Sequence, residues 1–174
     1  LAGQNRELTQ SFASLRFALL LAVFLVYLVM ASQFESLLHP FVIMFSMPLA
    51  VIGVVVTLAI TRTSVSVMVL IGLVVLAGIV VNNAIVLVDW ANQLRERGSP
   101  KREALIEAGR VRLRPIMMTM LTTVLGLVPM ALGTGEGAAL RAPLALTLIG
   151  GLSLATVLTL VVIPVVYETF DRSA

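Results

Sequence analysis

Three long apolar segments contain no charged residue: Phe17 to Met30, Phe41 to Ile60 and Val65 to Val81. None leaves room for the polar face that an amphipathic helix of a soluble protein turns to water. Charged residues make up only 12% of the chain and the mean hydropathy is +1.06, whereas about 25% of the residues in soluble domains are charged. Lipid is therefore the expected solvent, and the backbone polar groups must be paired within helices.

Turn residues and charges divide the chain into five apolar spans, each close to the roughly 20 residues that cross a bilayer. The predicted spans are residues 15–31, 40–60, 65–88, 115–132 and 143–167, which together form one bundle over residues 15–167. Pro40, Pro115 and Pro143 stand at the start of three spans, where a helix has no internal partner for the missing N–H group. The sequence thus predicts an all-α membrane protein, with residues 1–14 and 168–174 outside the bundle.

The segment between the third and fourth spans, residues 91–114, holds seven of the twelve lysine and arginine residues and carries a net charge of +4. The positive-inside rule places this loop and the C-terminus in the cytoplasm, and residues 1–14 on the other side. Ser99 as N-cap and Pro100 at the first helical position predict a short amphipathic helix in the loop. Nucleic-acid binding is disfavoured, because three glutamates interrupt the basic run and membrane spans flank it.

Residues with distinctive chemistry offer little support for an enzyme. The chain has no cysteine and His39 is its single histidine, so we expect no disulfide, no metal site and no cofactor.

Residues 1–15 are polar and lack the order of a signal peptide. Trp90 and Tyr167 fall at the ends of spans, as aromatic rings do at a membrane interface. The stretch from Gly133 to Gly137 is expected to be a flexible connection.

Polar residues inside an apolar span are the first candidates for function, because they are costly in lipid without a partner. In the third span Gly78, Asn82 and Asp89 share one helical face, while Asn83 points about 100° away. Helix packing and an ion path are the two alternative roles for these asparagines. Small residues allow close approach of helices, and the candidates for such packing are Gly72, Gly78, Gly126, Gly150 and Gly151.

The fourth span carries a second polar face, formed by Thr119, Thr122 and Gly126. The hydroxyl groups either bond to the carbonyl one turn earlier or line a file of water molecules. Arg112 and Arg114 lie at the start of this span. One of them can extend to the lipid headgroups while the other turns into the bundle.

Several motifs in the chain closely resemble the resistance, nodulation and division (RND) superfamily of efflux permeases. The two longest run from Gly78 to Asn92 (GIVVNNAIVLVDWAN) and from Glu107 to Thr119 (EAGRVRLRPIMMT). The shorter ones are Ala31 to Ser36 (ASQFES), Met47 to Gly53 (MPLAVIG), Gly126 to Met130 (GLVPM) and Val162 to Tyr167 (VIPVVY). The resemblance extends over essentially the whole chain.

This resemblance implies five helices, numbers eight to twelve, of a twelve-helix permease in the inner membrane of a bacterium. The partners it implies are the missing N-terminal half and periplasmic porter domains, two further copies in a homotrimer, a periplasmic adaptor and an outer-membrane channel. Residues 1–14 then approach the membrane from the periplasmic domain. The orientation derived from charge agrees with the topology of the family.

The resemblance also implies a proton relay. In drug-exporting members, two aspartates on the fourth helix take up protons opposite a lysine, a threonine and an arginine. Thr119 matches the threonine and Arg112 the arginine, whereas Asn82 stands at the lysine position and Asn83 follows it as in the family. The implied function is proton-driven export of hydrophobic or amphiphilic compounds. A self-contained structural or channel protein is the alternative, and a membrane enzyme is a weaker third.

Overall fold

A computed structural model of the chain describes residues 2–133 and 137–170, and it contains six helices and no strand within these residues. The helices are α1 (Ala2–Gln33), α2 (Leu38–Met44), α3 (Ser46–Thr61), α4 (Val67–Glu96), α5 (Lys101–Ala131) and α6 (Ala138–Phe170). Helices α2 and α3 together form one span, so five stretches are long and apolar enough to cross a membrane. The predicted all-α architecture with five spans is confirmed.

The second span is divided at Phe45, where the backbone N–H bonds to the carbonyl of Val42 at 3.2 Å. Three residues later stands Pro48, which has no N–H group to donate to the carbonyl of Met44. The loss of that bond accounts for the interruption between α2 and α3. At the far end of the span, Arg62 adopts a left-handed conformation with φ of 52° and ends α3.

The amphipathic helix expected in the basic loop is continuous with the fourth span, because α5 runs without interruption from Lys101 to Ala131. The expected N-cap at Ser99 is wrong by one residue: Pro100 has an extended ψ of 142° and its carbonyl accepts from the N–H of Ala104 at 2.9 Å. Pro115 and Pro143 lie inside α5 and α6 rather than at helix starts. Helices of membrane proteins tolerate internal proline where neighbouring groups satisfy the freed carbonyl.

Helix α6 lies at the centre of the bundle and packs against α3, α4 and α5, whereas α1 packs only on α2 and α4 among the described elements. One apolar core lies toward the end of the bundle that carries the loop between α4 and α5, which we call the basic end; it includes Leu87, Ala91 and Ile163. A second core lies toward the opposite end and includes Val54 and Leu76. The candidate site residues of α4 and α5 are positioned by the packing of these helices against α6.

Close approach of helices at glycine positions fixes the position of α6. A Cβ atom on Gly150 would overlap the side chain of Thr57 in α3, and a Cβ atom on Gly151 would overlap Leu76 in α4. A Cβ atom on Gly72 would lie 3.0 Å from Thr147 Cγ2. These glycines therefore occupy helix contacts that a larger residue would force apart.

Two expectations concern residues that are only partly described. Of the predicted flexible connection from Gly133 to Gly137, residues 134–136 lie outside the described residues. Of the predicted tail, residues 168–170 continue α6, and residues 171–174 lie outside the described residues.

Candidate functional site

The two asparagines of α4 face different surroundings. Asn82 is exposed on the outside of the bundle, whereas Asn83 is half-buried and borders a small cavity shared with Ile116 of α5 and Thr159 of α6. The rotation of about 100° per residue in a helix produces this difference. Asn82 is thus available to a partner outside the described chain, and Asn83 is directed to the interior.

Thr119 is exposed on α5 and its hydroxyl donates to the carbonyl oxygen of Pro115 at 3.0 Å. This bond is the local one expected of a threonine in a membrane helix, and it leaves the lone pairs of the hydroxyl oxygen free to accept. The cavity places Asn83 and Ile116 at the same depth in the bundle. Asn82 is one residue from Asn83, and Thr119 is three residues from Ile116, both in the direction away from the basic end. At a rise of about 1.5 Å per residue, Asn82 and Thr119 therefore differ by about 3 Å in depth.

The two arginines at the start of the fourth span have different environments. The guanidinium carbon of Arg112 lies 4.9 Å from the ring centroid of Trp90, and its Nε atom is buried with no hydrogen-bond partner. Arg114 is exposed. Arg112 precedes Thr119 by two helical turns, about 10 Å along the same face of α5. A cation over an aromatic face is attracted by the ring quadrupole, so Trp90 holds Arg112 against the bundle.

Helices α4 and α5 each expose a stripe of polar and small residues. The stripes consist of Gly78 and Asn82 on α4 and of Thr119, Thr122 and Gly126 on α5, and we call the two together the α4–α5 polar face. A Cβ atom built on Gly78 or Gly126 would have no heavy atom within 4 Å. In the described chain these two glycines therefore differ from Gly72, Gly150 and Gly151, which contact neighbouring helices.

A polar cluster around Tyr167 was not foreseen in the sequence. The Tyr167 hydroxyl donates to Asn92 Oδ1 at 2.5 Å and accepts from Arg95 Nη1 at 2.8 Å, and the ring stacks on His39 with centroids 5.6 Å apart. Tyr167 is fully buried. Helices α2 and α4 cover the ring, and its location at the depth of a membrane interface stays a prediction. The partners are more than 70 residues apart in sequence, and no local pattern signals the pairing.

A cavity of about 920 Å³ opens beside this cluster at the basic end. Its charged lining residues are Glu35, Asp89, Arg95, Glu96 and Lys101. Gln93 Nε2 donates to Asp89 Oδ2 at 2.8 Å, which gives the carboxylate a partner one turn away. Because both signs of charge are present, the lining does not select an anion or a cation.

Comparison with known proteins gives the same family throughout. The family model described as the AcrB/AcrD/AcrF family matches residues 1–171. The swarming motility protein SwrC of Bacillus subtilis (strain 168) is 44% identical over 171 residues, and the multidrug resistance protein MdtC of Erwinia tasmaniensis is 43% identical over 172 residues. These alignments cover 98% of this chain but only 16% and 17% of the two relatives.

A solved structure has the same fold. The crystal structure of a heavy metal efflux pump superposes with a TM-score of 0.86 at 32% sequence identity, and the match covers 97% of this chain and 16% of the pump chain. The chain thus spans about a sixth of the length of the relatives that it matches. Since the family model and these relatives match it nearly from end to end, the chain belongs to the AcrB/AcrD/AcrF family of RND efflux permeases.

Proposed function

We propose that this chain is the C-terminal part, helices eight to twelve, of a drug/proton antiporter that exports hydrophobic or amphiphilic compounds. The identity of 43% to a multidrug resistance protein supports the drug-exporting branch. The whole permease then comprises the missing N-terminal half and porter domains as well, and we expect the isolated segment to transport nothing.

The α4–α5 polar face is the single observation that carries this proposal. Asn82 is exposed there on α4, a helix with a strongly apolar mean hydropathy. An amide directed into lipid is costly because lipid offers it no hydrogen-bond partner. A Cβ atom on Gly78, one turn from Asn82, or on Gly126 of α5 would have no heavy atom within 4 Å, so both glycines leave open space in which another helix can approach closely. The face therefore fits a polar helix from the missing half better than it fits lipid.

In this proposal the opposing helix carries the carboxyl groups that take up protons. The side-chain amide of Asn82 has both donor and acceptor atoms, so it can donate to a carboxylate and accept from a carboxylic acid. The Thr119 oxygen, whose own proton is bonded to Pro115, serves as a second acceptor. Arg112 supplies a fixed positive charge toward the basic end. The relay thus cycles between two hydrogen-bonded states instead of breaking an ion pair.

The remaining expectations on location and assembly belong to the same proposal. The excess of basic residues between α4 and α5 favours a cytoplasmic basic end and C-terminus, with residues 1–14 on the periplasmic side of a bacterial inner membrane. The family resemblance favours a homotrimer that works with a periplasmic adaptor and an outer-membrane channel.

Substitution of the polar face tests the relay in the full-length permease. Asn82→Ala and Thr119→Ala should each reduce drug resistance of an efflux-deficient host by at least several fold, with an unchanged amount of trimer in the membrane. The control is Thr61→Ala, because Thr61 is also exposed and its hydroxyl also bonds one turn back, to the carbonyl of Thr57 at 2.8 Å. Wild-type resistance in both relay variants would show that these residues only pack.

The substrate class and the extent of the protein have separate tests. The same host should gain resistance to cationic dyes and detergents, and protection against divalent metals alone would contradict the drug-exporting branch. The gene upstream of Leu1 should encode a long reading frame with a pair of aspartates in an apolar span. An initiator codon directly before Leu1 would favour a self-contained small membrane protein instead.

A further inference from the structure

Two hydroxyl groups in the middle of α6 are buried and have no hydrogen-bond partner. Thr156 is 2% exposed and Thr159 is 4% exposed, and neither Oγ1 atom has a hydrogen-bond partner. Elsewhere in the same helix Thr147 and Ser153 bond to the carbonyl one turn earlier at 2.7 Å each. Burial of an unpaired hydroxyl is unfavourable, so these two groups require an explanation.

Both hydroxyl-bearing residues line one small cavity. The cavity lies between α4, α5 and α6 and has a volume of about 10 Å³. Its apolar lining is formed by Val80, Leu87, Ile116 and Leu160, and its polar lining by Asn83, Thr156 and Thr159. This volume is the space open to the centre of a water-sized sphere, and one such sphere itself occupies only about 10 to 15 Å³, so the cavity has room for a water molecule.

We propose that this cavity is a binding site for a single structural water molecule, held by Asn83, Thr156 and Thr159. Three polar side chains supply the two to four hydrogen bonds that buried water molecules make. The two hydroxyls each offer a donor and an acceptor, and the carboxamide of Asn83 offers both as well. The water satisfies the two unpaired hydroxyls and joins α4 to α6 by a polar bridge inside the apolar core.

Other occupants do not fit this site. The volume excludes any organic molecule, and the lining contains no carboxylate to neutralise a cation. The hard cations Mg²⁺ and Ca²⁺ also take about six or more oxygen ligands, more than these three side chains supply. Water is the remaining small polar molecule, and it requires no charge from the lining.

The bridge gives Asn83 a role distinct from that of its neighbour. Bonding to the water keeps the Asn83 amide turned toward α6, which leaves Asn82 as the asparagine of the α4–α5 polar face. The water site is inferred from the cavity and the two hydroxyls, so it stands whether or not the proposed relay is correct.

Replacement of each threonine by valine, which has nearly the same shape, tests the site in the full-length protein. If the water is present, Thr156→Val and Thr159→Val each lower the midpoint of thermal unfolding in detergent by a few degrees, because the water and Asn83 lose a partner. The double variant should then lose little more than the worse single variant. The control is Thr147→Val, whose hydroxyl is already paired within its own helix.

A cavity without water predicts the opposite change in the unfolding midpoint. Removal of an unpaired buried hydroxyl would then raise the unfolding midpoint of both variants above that of the wild type, and this result overturns the proposal. A density map at a resolution that shows ordered water gives a second measurement. We expect a peak at roughly 2.5–3.0 Å from both Oγ1 atoms. Hydroxyls turned to the carbonyls of Leu152 and Ala155, with no peak between them, would also overturn it.

Discussion

The contact between α3 and α6 at Gly150 predicts a strong effect of adding one methyl group. In Gly150→Ala the new Cβ atom would lie 2.5 Å from Thr57 Cβ and would overlap the outer atoms of that side chain. Thr57 cannot turn away without losing its hydrogen bond to the carbonyl of Gly53 at 2.8 Å. A Cβ atom on Gly53 would lie 3.1 Å from the backbone of Gly151, so the two helices are already in close contact.

The size of the effect follows from three terms. Alanine is favoured over glycine inside a helix by about 1 kcal/mol. Against this gain stand about 1–3 kcal/mol for an overpacked contact and about 1 kcal/mol for the lost Thr57 hydrogen bond. Gly150→Ala should therefore destabilise the protein by about 2 kcal/mol, using the middle of these ranges.

Gly109→Ala is the matched control, because Gly109 lies inside α5 and a Cβ atom there would have no heavy atom within 4 Å. Gly109→Ala should stabilise the protein by the roughly 1 kcal/mol by which alanine is favoured over glycine inside a helix. The free energies of unfolding of the two variants should therefore differ by about 3 kcal/mol. Both are measured by thermal unfolding of the full-length protein in one detergent. A Gly150→Ala variant at least as stable as Gly109→Ala would refute the close contact between α3 and α6.

Two further predictions concern the basic end. Arg112→Gln should slow dye efflux from cells at equal expression, and Arg114→Gln should have a smaller effect. The reason is that an aromatic ring holds Arg112 against the bundle, whereas Arg114 is exposed. Equal effects would mean that Arg112 serves only as a topology signal. Tyr167→Phe should reduce the free energy of unfolding by about 1–3 kcal/mol, because it leaves Asn92 Oδ1 without its buried donor. Tyr27→Phe, which removes only a 3.3 Å bond to the exposed carbonyl of Leu37, should have little effect on the thermal midpoint, and similar losses in both tyrosine variants would contradict the importance of the buried bond.

Several predicted helix boundaries were wrong for a local physical reason. Proline at positions 115 and 143 resembles a helix start in sequence, but both prolines lie inside long helices. Conversely, the interruption before Ser46 depends on Pro48, whose missing N–H group acts four residues upstream. A proline marks a defect in the hydrogen-bond ladder, and the packing around the helix decides whether the helix ends there.

Hydropathy and helical periodicity by themselves determined the five spans, because an apolar run of sufficient length has no stable state except a helix in lipid. The same periodicity separated the face of Asn82 from that of Asn83. The motif resemblance added the family. None of these depends on how the helices are arranged.

The tertiary structure decided which of these residues have partners. It placed Gly150 and Gly151 against other helices and left Gly78 and Gly126 open. It also buried Tyr167 among residues from distant parts of the chain. Such pairings depend on the positions of several helices at once, and a single sequence carries no local signal for them. The physical reason is that burial and hydrogen bonding are properties of contacts between helices, whereas hydropathy is a property of each helix alone.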